Sequence, residues 1–137
     1  MDIKELKPTS IWHYFDAITG VPRPSKKEER IREFLLNFAK EQNLEVKVDK
    51  TENVVITKEA TPGCEGAPTV ILQAHMDMVC EKNGDVKHDF ERDPIETYID
   101  GEWVKARGTT LGADNGIGMA AAMAVLADKE LKHGRIQ

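Results

Sequence analysis

The amino-acid sequence predicts an α/β fold in which helices pack on a mixed sheet. Apolar residues recur at helical spacing in three segments, and short β-branched runs lie between these segments. The chain has 137 residues, which is enough for one domain with a hydrophobic core of its own. We therefore treat residues 1–137 as one structural unit.

Two helices are predicted in the first third of the chain. Apolar residues between Ile11 and Ile18 form one side of a short amphipathic helix, which ends before Pro22. A second helix is predicted to begin at Ser25, because Glu28 follows three residues later and completes a capping box. The buried side of this helix is predicted to run from Ile31 to Ala39.

Three strands are predicted in the middle of the chain. Leu44–Val48 alternates apolar and polar residues, and Asn53–Thr57 is a second short β-branched run. Thr69–Leu72 is apolar and β-branched, which favours a strand that is buried on both faces of a sheet.

A hairpin and a third helix complete the predicted fold. Thr97–Ile99 and Glu102–Val104 flank Asp100-Gly101, a dipeptide typical of two-residue hairpin turns. Farther along, apolar residues between Ile117 and Leu126 surround nearly the whole circumference of a helix. A helix that is apolar on all sides is expected to be buried.

Composition excludes several classes of function. The net charge is −5, with 24 acidic and 19 basic residues, which disfavours nucleic-acid binding. No apolar run is long enough for a membrane span, and Met1–Leu6 lacks the apolar core of a signal peptide. Cys64 and Cys80 form no C-x-x-C pattern, so we expect neither a disulfide scaffold nor a cysteine zinc site. We expect a cytoplasmic protein with no nucleic-acid and no membrane partner.

The first candidate site follows the apolar run Thr69–Leu72. His75 comes three residues after this run, and the carboxyl ends of strands are where sites form in open α/β sheets. A neutral imidazole is a good zinc ligand. Asp77 lies two residues later, on the same side of an extended chain, and could accept the other ring N–H of the histidine. The same pattern also fits a histidine at a strand end beside a solvated aspartate.

The second candidate site is a glycine-punctuated loop. Residues Gly108–Ala113 lead into Asp114, at the amino end of the third predicted helix. Aspartate is a good N-cap, and a carboxylate there also gains from the helix dipole. Alternatively, its two oxygens could each hold one cation, as two metals ~3.5–4 Å apart require.

A competing motif overlaps this loop. Gly116–Ala121 matches the G-x-G-x-x-A pattern of dinucleotide-binding proteins. That pattern requires a hydrophobic strand directly before it and an acidic residue about 20 positions later. Thr109–Asn115 does not read as such a strand, and the chain offers little sequence afterwards. We interpret the match as chance, helped by the small residues that a buried helix needs.

Together the motifs resemble the amino-terminal part of the di-zinc metallopeptidases that include carboxypeptidase G-type enzymes, aminoacylases and cytosolic dipeptidases. The resemblance covers essentially the whole chain. It is carried by five runs: Pro22–Ser25, Leu72–Val79, His88–Phe90, Asp93–Ile95 and Gly108–Gly118.

The resemblance implies a role for each candidate residue. His75 would bind one zinc ion, Asp77 would orient His75 as the catalytic residue of this segment, and Asp114 would bridge two zinc ions. Cobalt or manganese could substitute for zinc. The resemblance also implies a cis peptide bond between Asp114 and Asn115.

The resemblance further implies that the site is only partly present. Residues 1–137 would be the amino-terminal part of a zinc-peptidase catalytic domain, without the lid or dimerisation domain. The family's Glu-Glu pair, a later acidic residue and a later histidine have no counterpart here. Gly134–Gln137 also departs from the Gly-Pro-Ile-Glu expected at this point.

These implications lead to two functional hypotheses. In the first, the parent enzyme uses zinc to hydrolyse dipeptides, and this chain carries the first half of its two-metal site. In this hypothesis the substrate is a small peptide, and the parent enzyme could be a homodimer. In the second, the chain is a non-catalytic fragment with at most weak metal binding.

Overall fold

The computed structural model describes residues 1–137 and contains helices together with small antiparallel sheets. A 3₁₀ turn at Ile3–Glu5 comes first. In chain order the other elements are α1 (Thr9–Thr19), α2 (Glu29–Glu41), β1 (Glu45–Val48), β2 (Val54–Thr57), β3 (Thr97–Asp100), β4 (Trp103–Ala106) and α3 (Ala113–Ala127). No helix combines the length and the apolar character that crossing a membrane requires.

The core lies where α1 packs against α3. Phe15 and Ile18 of α1 are buried, as are Met119 and Met123 of α3. Ala120 is also buried and belongs to the same apolar cluster. This packing holds the amino end of α3, and therefore Asp114, in a fixed place relative to the rest of the chain.

The two sheets are antiparallel pairs. β1 pairs with β2, with Glu45 opposite Thr57, and β3 pairs with β4, with Thr97 opposite Ala106. The β3–β4 turn contains Gly101 at a φ of +60°. The hairpin predicted from Asp100-Gly101 is therefore confirmed, and it leads directly into the loop before α3.

The prediction of a buried strand at Thr69–Leu72 was wrong. The segment is extended but forms no regular strand, and Val70, Ile71 and Leu72 are 52%, 71% and 38% exposed. The composition favours burial on both faces, but nothing in this chain covers the second face or the second edge. An apolar run indicates that a segment tends to be buried, but it does not show that another element is present to cover it.

The one neighbour of this segment is the last part of the chain. Ile136 forms a parallel bridge with Val70 and an antiparallel bridge with Lys58. The N–H groups of Val70 and Leu72 donate to carbonyls of this last segment at 2.9 and 2.7 Å. The parallel pairing expected of a mixed sheet is thus present only as isolated bridges, here at Ile136 and also between Pro24 and Met78.

The predicted capping box of α2 was also wrong. The helix begins at Glu29, four residues after Ser25, and no side chain caps its first turn. The Ser25 hydroxyl instead donates to the Oδ2 atom of Asp77 at 2.5 Å. The hydroxyl that was predicted to cap the helix therefore binds a carboxylate 52 residues away in sequence.

Candidate metal centre

Two separate segments bring the three candidate side chains together. His75 and Asp77 lie in the extended segment that follows residues 69–72, and Asp114 lies in the first turn of α3. His75 Nε2 is 3.0 Å from Asp114 Oδ1, and His75 Nδ1 is 3.0 Å from Asp77 Oδ1. The imidazole ring is therefore held between two carboxylates, one on each nitrogen.

Asp77 is held in place from two sides. Besides the contact with His75, it accepts the hydrogen bond from the Ser25 hydroxyl. The Ser25 hydrogen bond is the main reason why the pKa of Asp77 lies below its usual value, and His75 adds to the effect. Because Asp77 stays ionised and fixed, it can orient the ring through Nδ1.

His75 is about half exposed, and its pKa lies above the usual value. The hydrogen bond with Asp114 is the largest cause of the rise, burial opposes it, and the contacts with Asp77 raise the pKa further. When the ring is protonated on both nitrogens, its Nε2–H donates to Asp114 Oδ1. A metal ion would have to replace that proton.

Asp114 presents its carboxylate to solvent. Its side chain is 97% exposed, and its contact with His75 is made by Oδ1 alone. The regular helix starts after Asn115, because Asp114 and Asn115 both have non-helical backbone angles. The bond between these two residues is cis, as predicted. The Asp114 carboxylate makes no hydrogen bond to a backbone N–H of the helix, so Asp114 does not have the N-cap role that was the alternative to metal binding.

The pair His75–Asp114 fits a metal ion in both chemistry and spacing. Imidazole nitrogen and carboxylate oxygen are both zinc ligands, and two ligands at ~2.0–2.2 Å from a tetrahedral ion lie about 3.3 Å apart. The observed separation of 3.0 Å is close to that value. No group of three or more His, Cys, Asp or Glu side chains is arranged to hold a metal. The chain thus brings together two side chains of ligand type, whereas a catalytic zinc site normally has three protein ligands.

Packing explains the glycines of the competing dinucleotide motif. A Cβ atom added at Gly116 would lie 2.8 Å from Nη2 of Arg23 and 3.2 Å from the Phe15 ring. One added at Gly118 would lie 2.2 Å from the Asn115 side chain. These glycines make room for neighbouring side chains, which supports the interpretation of the motif as a chance match.

Arg23 is a residue of the site that was not predicted from the sequence. Its guanidinium is buried below the site and bonds to backbone carbonyls of both ligand-bearing segments. Its position in the run Pro22–Ser25, which carried part of the family resemblance, was the one available signal. His88 is not bonded to the site residues, and its ring packs edge-to-face against Phe90 with the ring centroids 4.5 Å apart.

Comparison with known proteins gives close relatives for the whole chain. No family model matches it. It is 52% identical over 136 residues to the cytosol non-specific dipeptidase of Escherichia coli (strain K12), which covers 99% of this chain and 28% of that protein. The aminoacylhistidine dipeptidase of Vibrio alginolyticus superposes with a TM-score of 0.97 at 56% identity, again over 99% of this chain and 28% of the other.

A more distant structure shares the fold. A tripeptidase from Staphylococcus aureus has a TM-score of 0.76 at 22% identity, over 96% of this chain and 35% of its own length. The present chain spans less than a third of the length of the two dipeptidases, 28% in each case. In sequence and in fold it is therefore similar to one part of the aminoacyl-histidine dipeptidases, and the resemblance inferred from its motifs is confirmed.

Proposed function

We propose that this protein supplies His75, Asp77 and Asp114 to the two-zinc site of a dipeptidase that hydrolyses Xaa-His dipeptides. The observation that carries the proposal is the imidazole of His75, held between the carboxylates of Asp77 and Asp114. The similarity to two dipeptidases supports the reaction class. The similarity to a cytosol dipeptidase of Escherichia coli supports a cytoplasmic location.

Each side chain has a distinct task in this proposal. Asp77 accepts the Nδ1 proton of His75 and so leaves the lone pair of Nε2 free to bind a metal. The exposed carboxylate of Asp114 has two oxygens and can bridge two ions. When bound, zinc supplies a Lewis acid that polarises a peptide carbonyl and acidifies water. Ser25 keeps Asp77 aligned through its hydrogen bond.

The proposed site needs parts that this chain does not bring to it. A catalytic zinc site normally has three protein ligands, whereas His75 and Asp114 supply two for one ion and one for the other. Asp77 is already bonded to His75 and Ser25, and no other glutamate or aspartate side chain is hydrogen-bonded to His75 or Asp114 to serve as general base. We propose that the remaining ligands and the base come from polypeptide outside these 137 residues.

The 137-residue chain alone should therefore hydrolyse no dipeptide at a useful rate. Loss of a general base commonly costs ~10²–10⁴-fold in rate, and incomplete metal ligation adds to that loss. The purified chain would be assayed on Xaa-His dipeptides with excess zinc, beside the variant Asp114→Ala. Robust turnover that disappears in the variant would mean that the chain carries a complete site.

A chimera tests whether the half-site is competent. This chain would replace the corresponding 28% of the Escherichia coli dipeptidase, to which it is 52% identical. The chimera should hydrolyse Xaa-His dipeptides and lose activity with His75→Ala or Asp114→Ala. The exposed His13 on α1 provides a matched control, because His13→Ala should leave activity unchanged. A folded but inactive chimera would contradict the proposal.

A second candidate function is a non-catalytic fragment with at most weak metal binding. It is favoured by the number of ligands, since His75 and Asp114 are joined by no third metal-binding side chain. The chimera separates the two candidates. A competent half-site restores dipeptidase activity there, and a fragment that has lost its function does not.

A further inference from the structure

A buried arginine lies directly beneath the candidate site. Arg23, in the loop between α1 and α2, is only 1% exposed. Its Nη1 donates to the carbonyl oxygens of Met76 and Asp77 at 3.3 and 3.1 Å, and its Nη2 donates to the carbonyl of Gly112 at 2.7 Å. One guanidinium group thus joins the segment that carries His75 to the loop that precedes Asp114.

The burial of this cation is costly. Arg23 has no carboxylate partner within salt-bridge distance, and its Nε makes no hydrogen bond. Burial lowers the pKa of Arg23, while the charge of Asp77 opposes that shift. A buried charge is tolerated only when hydrogen bonds compensate it, and here three backbone carbonyls do so. An apolar side chain of similar size would fill the space without this cost, so the contribution of Arg23 lies in those hydrogen bonds.

The neighbouring glycines leave room for the guanidinium. A Cβ atom at Gly112 would lie 2.5 Å from Nη2 of Arg23, and one at Gly116 would lie 2.8 Å from it. Gly112 also has a φ of +75°, which by itself favours glycine. Gly116 has no such backbone requirement, so its lack of a side chain is explained by Arg23 and by Phe15.

We propose that Arg23 is a positioning residue, whose guanidinium fixes the separation between His75 and Asp114 by bonding to the backbone of both segments. The part of this inference that concerns a metal rests on the proposed function. The planar guanidinium presents several N–H donors in a rigid fork, so it can bond to two segments at once. A lysine carries the same charge on a single flexible ammonium group and cannot replace that bridge.

Hydrogen exchange in the metal-free chain tests the bridge directly. The amide of Met78, in the segment that carries His75, donates to the backbone carbonyl of Arg23, and the amide of Gly116 donates to the carbonyl of Gly112 in the loop that precedes Asp114. In Arg23→Lys and Arg23→Met, these two amides should exchange roughly 10- to 100-fold faster, as expected for loss of charged hydrogen bonds. Amides within α2 should keep their rates. Unchanged rates at both sites, or the same acceleration throughout the chain, would overturn the proposal.

A matched arginine provides the control. Arg32 on α2 has a side chain that is 16% exposed, and it pairs with Glu52 at 3.2 Å. Arg32→Met removes a guanidinium group and its charge, as Arg23→Met does. The Arg32 side chain, however, bridges neither segment of the site. Arg32→Met should leave exchange at Met78 and Gly116 unchanged, and acceleration there would contradict the assignment to Arg23.

A substitution opposite Arg23 keeps the test valid if the Arg23 variants do not fold. Gly116→Ala would push a methyl group against Nη2 without removing the charge. It should accelerate exchange at Met78, because that amide lies in the other segment. No effect of Gly116→Ala on Met78 would show that the guanidinium does not couple the segments.

Zinc affinity separates this inference from the proposed function. The wild-type chain, Arg23→Lys and Asp114→Ala would be titrated with zinc, and Arg23→Lys should bind at least ~10-fold more weakly than wild type. Equal affinity of Arg23→Lys and wild type would overturn the positioning role. If the wild-type chain bound no zinc, the proposed function would fail, and the exchange rates alone would decide whether Arg23 bridges the segments.

Discussion

The protonation state of His75 controls what the site can bind. Asp77 on Nδ1 and Asp114 on Nε2 both stabilise the imidazolium, so the pKa of His75 is raised in the folded protein. A raised pKa means that the folded state binds the proton more tightly than the unfolded chain does. The resulting stabilisation is fully present below the unfolded pKa and is lost as the pH rises through the folded pKa. A metal on Nε2 is favoured on that higher-pH side.

Substitution of Asp114 should lower the pKa of His75. Asp114→Asn removes the largest single cause of the rise, so the pKa should fall towards its ordinary value. Asp77→Asn should also lower the pKa, because the side-chain hydrogen bond and the charge of Asp77 both raise it. Titration of the His75 ring by NMR in the metal-free chain measures both changes. A His75 pKa that is the same in Asp114→Asn and wild type would contradict the hydrogen bond between these residues.

At single residues, the sequence predicted the candidate ligands but not the groups that support them. His75, Asp77 and Asp114 stand in short motifs whose spacing and neighbours point to metal chemistry. Arg23 bonds to backbone carbonyls, which every residue has, so no pattern in the sequence marks its partners. Ser25 fitted a local capping box, and its actual partner Asp77 becomes visible only when the chain is folded.

Among the elements, those that rest on local signals were predicted well. The helix α1 and the β3–β4 hairpin follow from periodicity and from Asp100-Gly101, both of which act over a few residues. Thr69–Leu72 failed because a central strand depends on neighbours on both sides. The single partner found, around Ile136, lies at the other end of the chain and leaves no trace in the local sequence.

The turn between β1 and β2 should respond to acid through Asp49. This carboxylate accepts hydrogen bonds from Thr51 and Asn53, and they lower its pKa from 3.8 to about 2. A lowered pKa gives stability that is present above the unfolded value of 3.8 and is lost as the pH falls through about 2.

NMR titration of the carboxyl group can check this assignment. In Asn53→Ala the pKa of Asp49 should rise towards 3.8, because the largest single cause is removed. Thr51→Ala should raise it by a smaller amount. A pKa near 3.8 in the unmodified chain would mean that this turn is not formed in solution.

In the molecule as a whole, apolar surface remains uncovered beside the site. Ile71 is 71% exposed, and its backbone N–H and C=O make no hydrogen bond in the chain. A groove of about 700 Å³ adjoins this segment, and its apolar lining includes side chains of β2 and α3. An extended apolar segment with a free edge is a template for pairing with another chain.

The uncovered edge should make the isolated chain associate at high concentration. Ile71→Lys places a charge on that edge, which is a common way in which proteins prevent strand pairing. Sedimentation velocity over a concentration series should reveal association of the wild-type chain and less association of the variant. Val48→Lys, at an exposed position of β1 outside the groove, serves as a matched control with the same charge change. Equal association of Ile71→Lys and wild type would place the contact elsewhere.

The most direct test of the account is calorimetric titration of zinc into the metal-free 137-residue chain. Wild type and His13→Ala should bind one zinc ion at the His75–Asp114 pair, more weakly than a complete site would. His75→Ala and Asp114→Ala should each abolish that binding, because one remaining ligand is too few. Identical zinc binding by all four proteins, or none by wild type, would contradict the claim that these two residues form half of a metal centre.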